Sequence, residues 1–213
     1  MGGCCEPRGY DEMFGSGYAR RLAARYRKRG LDRTARRMVD YLEQRGVDGA
    51  TVLEIGGGVG EIQLELLRRG AASATNLELA SAYDEDAERL TQQAGMSGRV
   101  RRRIIDIAAA PDEVEPADIV VLNRVVCCYP DYERLLGAAA DHARRLLVFS
   151  HPPRNWMSRA VLGSQNAFFR ITGKDFRTYA HPPESMLAVL NGRGLTTEYI
   201  HPGPFWRVAG LER

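Results

Sequence analysis

Lysine is nearly absent from this 213-residue chain: Lys28 and Lys174 stand alone, although Lys and Arg together number 30. The basic character is therefore carried by arginine, which stays charged and forks onto carboxylates and phosphates. Against 27 acidic residues the net charge is only +3, too little to mark a nucleic-acid surface by itself. Long apolar runs are missing as well. None approaches the roughly 18 residues that a membrane span requires, and Met1 to Tyr18 holds no apolar h-region of a secretory signal. These absences predict a cytoplasmic protein with neither a membrane nor nucleic acid as partner. Cysteine is scarce, and its four residues fall in two vicinal pairs, Cys4-Cys5 and Cys127-Cys128. That spacing is neither a disulfide framework nor a Cys-x-x-Cys zinc site, so no metal site is expected. Free thiols are the plain reading. The sharper one is that the pairs meet in space and hold a soft metal or an arsenical. Internal repeats and low-complexity linkers are absent too.

What the chain does have is concentrated in Thr51-Val-Leu-Glu-Ile-Gly-Gly-Gly-Val-Gly-Glu61. Thr51 to Ile55 reads as a buried parallel strand. Glu61 to Arg69 reads as a helix, and the glycines between them let backbone turn sharply and lie against a ligand. Strand, glycine turn and helix N-terminus form a nucleotide-type site. A dinucleotide fingerprint would need glycine where Glu61 stands, and no Gly-Lys-Ser or Gly-Lys-Thr follows. The pattern present, Glu54-x-Gly56-x-Gly58-x-Gly60, resembles the first motif of the class I S-adenosylmethionine-dependent methyltransferases. The resemblance implies that Glu54 sits near the ligand's amino group, and that Gly56, Gly57, Gly58 and Gly60 admit its sulfonium end and ribose.

Ala74 to Leu79 reads as the next strand. Glu78 lies near its end, about 20 residues past the glycine turn, where an acid accepts both ribose hydroxyls; Leu79 follows it. Val100 to Ile105 is a third strand, with Arg99-Val-Arg-Arg-Arg103 read as a charged edge. In the family an acid at the end of this strand bonds the adenine amino group, which carries that role to Asp106, with the Ile107 N–H on the ring. Ala117 to Leu122 is the fourth strand, and Asn123 and Arg124 after it match the position of the family's fourth motif, near the methyl group. Arg145 to Ser150, Thr196 to His201 and Phe205 to Leu211 complete seven strands. The implied architecture is α/β, a Rossmann-like methyltransferase fold. It has a seven-stranded, mostly parallel sheet with an antiparallel last strand and helices on both faces. Residues 49–213 would form the cofactor domain with a helical insertion at about 154–180, and residues 1–48 a helical lid.

Substrate and lid roles fall to Tyr10, Phe14, Tyr18, Tyr129, Trp156 and Tyr179. Methyl transfer needs alignment, desolvation and, for a weak acceptor, a base. Histidine exchanges protons near neutral pH, so His151 and His181 are the candidate bases. The expected cofactor is S-adenosylmethionine, leaving as S-adenosylhomocysteine, and the expected partner a small-molecule methyl acceptor methylated on oxygen or nitrogen. Two alternatives stand beside it: methylation of an arsenical or thiol through the cysteines, and a non-catalytic cofactor-binding regulator.

Overall fold

A computed structural model describes residues 9–213; Cys4 and Cys5 lie outside the described residues. Seven strands form one sheet in the order β3-β2-β1-β4-β5-β7-β6. They are β1 (Thr51–Ile55), β2 (Ser73–Glu78), β3 (Val100–Ile104), β4 (Ala117–Leu122), β5 (Ala143–His151), β6 (Thr196–His201) and β7 (Arg207–Glu212). The first five are parallel, and β7 runs antiparallel to both β5 and β6. Side chains alternate across the central strands, as period two demands. Val52, Ile119, Val121, Leu146 and Val148 enter the core on one face; Leu53, Val120, Leu122, Leu147 and Phe149 enter the core on the other. Both faces are covered, which is why these strands read as unbroken apolar runs.

Helices α1 (Tyr10–Met13), α2 (Ser16–Arg29) and α3 (Arg33–Gln44) precede the sheet. Helices α4 (Glu61–Arg68), α5 (Asp84–Gln93) and α6 (Tyr132–His142) follow β1, β2 and β4, and α7 (Trp156–Ile171) and α8 (Pro183–Asn191) separate β5 from β6. Asp32 caps α3 by accepting from the Thr34 and Ala35 N–H groups at 2.9 and 3.0 Å, as its place before an apolar-periodic run predicts. Met38, Val39 and Leu42 then bury α3 against the sheet. The edge reading of the arginine-rich third strand holds, since β3 ends the sheet. Residues Tyr10–Met13 form α1. It is a single turn between Gly9 and Phe14, held by tertiary packing that local propensity does not encode.

Candidate active site

The strand order reverses between β1 and β4, and open α/β sheets bind ligands at such a point, beyond the carboxyl ends of the strands. A crevice of about 130 Å³ opens there, bounded by Glu54, Gly56, Gly57, Gly58, Glu61, Glu78, Asn123, Arg124 and Cys128, and roofed by Tyr10, Phe14, Tyr18, Leu22 and Tyr83. A smaller apolar slot of about 40 Å³ adjoins it, lined by Leu79, Ile105, Asp106, Ile107, Tyr129 and Leu135. Tyr10, Gly56, Glu78 and Val125 border both spaces.

The glycine turn forms the floor. Gly58 has φ +55, a left-handed conformation in which a side chain costs roughly 1 kcal/mol or more. There its N–H donates to Glu78 Oε2 at 2.8 Å. The Leu79 N–H donates to Glu78 Oε1 at 2.8 Å and the Ala80 N–H at 3.3 Å. Three backbone donors thus fix one carboxylate at the junction of the crevice and the slot. At Gly57 a Cβ would stand 2.4 Å from Asn76 Nδ2 and 2.9 Å from Glu54 Cδ. Only glycine lets the loop close onto these two buried side chains.

Two further carboxyls face the crevice. Glu54 accepts from the Gln63 N–H at 3.1 Å and is 2% exposed. Burial, and then the neighbouring Glu61, push its pKa up to about 8. Burial likewise raises Glu61 to about 7, opposed by Arg25. Glu61 Oε2 is buried without a hydrogen-bond partner, while Oε1 lies 3.7 Å from Arg25. An orphaned acceptor beside a second carboxyl is a site made for a cation. The cationic end of a sulfonium cofactor fits it. Arg25 also approaches Asp32 at 3.6 Å, and Arg124 donates to Asp32 at 2.7 Å. A chain of alternating charge thereby ties α2 and α3 to the end of β4. Arg124 is the one non-glycine residue with positive φ among the described residues, at 62°. Its N–H donates to Ser150 Oγ, whose own hydroxyl donates to Asn123 Oδ1.

In the slot, Asp106 accepts from Tyr129 Oη at 2.8 Å and from the Ala108 N–H at 3.0 Å, and Ile107 is buried. Tyr10 donates to the Cys128 carbonyl at 2.7 Å, and burial raises its phenol well above the usual range. Phe14 packs against Tyr10, Tyr18, Tyr83 and Phe176. The Tyr10 bond closes the first helix over the crevice. Tyr10→Phe is expected to lose about 1 kcal/mol there, leaving the fold intact. Hydrogen exchange of residues 10–18 should accelerate severalfold, with little change elsewhere.

The remaining sequence candidates lie away from the crevice. His151 is buried, bonds the Pro152 carbonyl through Nδ1 and stacks on Phe149. His181 shares its Nε2 with the Tyr129 carbonyl, stacks on Tyr179 and meets Tyr132 at a tilt. Burial lowers both imidazole pKa values. Tyr179 donates its N–H to the Cys127 carbonyl, and Trp156 projects into solvent. Gly60 caps α4 at φ +80. Leu22, Glu61, Ile62, Tyr83 and Val125 line the crevice without having been singled out from sequence. For Glu61 the signal was available, an acid directly after the last glycine, but it also reads as an ordinary first-turn helix acid. No group of three or more His, Cys, Asp or Glu suited to a metal occurs among the described residues.

Comparison with known proteins bears on the fold and the family. No curated protein matches the chain. Among solved structures it is similar to magnesium protoporphyrin IX methyltransferase from Synechocystis PCC 6803 with bound S-adenosylhomocysteine, at 19% identity and a TM-score of 0.69, over 84% of this chain and 82% of that one. An O-methyltransferase family protein from Burkholderia thailandensis superposes at 20% identity and 0.71, over 96% and 62%. Geranyl diphosphate methyltransferase in complex with S-adenosylmethionine does so at 16% and 0.68, over 92% and 90%. At these identities the likeness establishes the fold. The family follows from the sequence match, in which the Methyltransf_23 methyltransferase domain covers residues 23–200. This chain therefore belongs to the class I S-adenosylmethionine-dependent methyltransferase family.

Proposed function

We propose that this methyltransferase acts on an oxygen or nitrogen of a small molecule that is already nucleophilic at neutral pH. The observation that carries this is the lining around Asn123, Arg124 and Cys128: its described residues include no histidine, and in this reading its two carboxyls of raised pKa, Glu54 and Glu61, are engaged by the cationic end of the cofactor. Cys128 itself is held protonated by its hydrogen bond to Cys127 and by burial. A carboxylate, an acidic phenol or a free amine needs no proton removed before attack. The arginine-rich α2 gives an acidic acceptor a favourable approach.

In this reading Glu78 accepts the ribose hydroxyls, Asp106 and the Ile107 N–H meet the adenine edge, and Glu54 and Glu61 face the cationic end. The cofactor supplies a methyl group on a sulfonium that is already a good electrophile. The chain aligns, desolvates and excludes water, with Tyr10, Phe14 and Tyr18 as the cover. Calorimetric titration with S-adenosylmethionine and S-adenosylhomocysteine should give micromolar binding, with NAD and ATP inert. S-adenosylhomocysteine release should then be assayed against carboxylic, phenolic and amine acceptors at pH 7. Turnover only with acceptors whose nucleophile needs deprotonation would overturn the proposal.

One observation favours a second reading. Cys127 and Cys128 lie with their sulfurs 3.6 Å apart, and Cys128 borders the crevice. Two thiols so placed suit a thiophilic acceptor such as a trivalent arsenical. If that acceptor is the substrate, Cys127→Ser and Cys128→Ser should each abolish its methylation, with cofactor affinity unchanged. Full retention in the double variant excludes it.

A further inference from the structure

Helix α7 presents an apolar stripe that no described residue covers. Trp156 is 81% exposed, Val161 59%, Phe168 60% and Ile171 84%, and Met157 is half exposed between them. At 100° per residue these five share one sector of the helix. Phe169, on the opposite face, is the helix's buried residue and packs on Phe176, which meets Tyr10 and Phe14 of the crevice roof. The apolar stripe is thus the outer surface of an element whose inner surface adjoins the methyl-transfer crevice. Beside the stripe the helix carries Arg159 and Arg170, and its sixteen residues include no Asp or Glu. Arg154 adds positive charge before the helix, and Lys174 and Arg177, with Asp175 between them, leave a net positive charge after it.

Against the expectation from composition that no membrane is a partner, we propose that α7 docks on an anionic lipid surface. The helix combines a Trp- and Phe-bearing apolar face with flanking arginines, whose stems lie along the apolar boundary while their charges reach headgroups. It lies in the interface rather than crossing it; no described helix is long and apolar enough to span. A second copy of the chain fits less well, because face-to-face pairing would bring two acid-free, arginine-bearing helices together. The proposal does not depend on the methyl acceptor. It places the crevice beside the bilayer, where an amphiphilic acceptor would be met.

Flotation of the full chain with vesicles tests it. Wild type should float with phosphatidylcholine vesicles containing phosphatidylglycerol and remain behind with phosphatidylcholine alone. Phe168→Glu/Ile171→Glu should weaken flotation at least tenfold. Arg159→Gln/Arg170→Gln should remove most of the preference for anionic vesicles. All four positions are exposed, so thermal melts and cofactor affinity should match wild type, which separates this test from that of the methyltransferase reading. No flotation, or undiminished flotation of the Phe168→Glu/Ile171→Glu protein, overturns the proposal. So does a dimer in light scattering that this variant dissociates while flotation is absent.

Discussion

Glu78→Ala is expected to weaken binding of S-adenosylmethionine and S-adenosylhomocysteine together by at least a hundredfold. In the free protein this carboxylate is held by the N–H groups of Gly58 and Leu79, each at 2.8 Å. Those bonds fix its orientation and leave lone pairs toward the junction between crevice and slot. A hydrogen bond to a charged group contributes ~1.5–3 kcal/mol. Two bonds to the ribose hydroxyls therefore correspond to roughly 3–6 kcal/mol, or a factor on the order of 10² to 10⁴ in affinity. Alanine also removes the acceptor for Gly58, the hinge of the glycine turn, so the loop itself should loosen. Glu78→Gln keeps one carbonyl oxygen and should fall between the two. Because both ligands carry the same ribose, their losses should match within a few-fold in calorimetry. Binding of Glu78→Ala within threefold of wild type would remove this residue from the cofactor site. A loss confined to S-adenosylmethionine would move it to the sulfonium.

Glu78 was legible because its setting is local: an apolar strand, an acid at its end, and a fixed distance from the glycine turn. The same holds for the sheet, whose central strands announce themselves as apolar runs, and for Asp32, whose capping role needs only the next three residues. Strand and helix ends shifted by a few residues, as hydrogen bonding rather than composition decides them. What the sequence conceals is convergence across distance. Glu61, Arg25, Asp32 and Arg124 come from four separate segments and meet only in the folded chain. Tyr83 reaches the roof from a single 3₁₀ turn before α5. His151 stands at the ligand-side end of β5, which made it a reasonable base. Its side chain turns instead onto Phe149 and the Pro152 carbonyl. Position along a strand sets the face and the end, but packing chooses where the ring points.

Glu54→Gln should make the free protein more stable at pH 8 while weakening its hold on the cofactor. The ordinary glutamate value lies near 4.5, and burial raises Glu54 to about 8. Between those values the folded chain keeps a proton that the unfolded chain gives up. Stability therefore falls as pH rises, by ~1.4 kcal/mol per pH unit for a single such group. Below pH 4.5 the penalty is absent, and above pH 8 it is complete. Glu61, raised to about 7, adds its own slope up to that point. Glutamine, still able to accept from the Gln63 N–H, removes the Glu54 part of this slope and leaves that of Glu61. Melting temperatures of wild type and variant should coincide near pH 5 and diverge by ~5–15 °C at pH 8, given a few kcal/mol and a chain of this size. A cationic ligand reverses the account, because it favours the ionised carboxylate. Binding should release protons, and wild-type affinity should rise from pH 6 to 8 and then level off. The variant should bind more weakly at pH 8 and show a smaller rise. Parallel melting curves at pH 5 and pH 8 would show that Glu54 titrates as an ordinary carboxylate. The cation site would then rest on Glu61 alone.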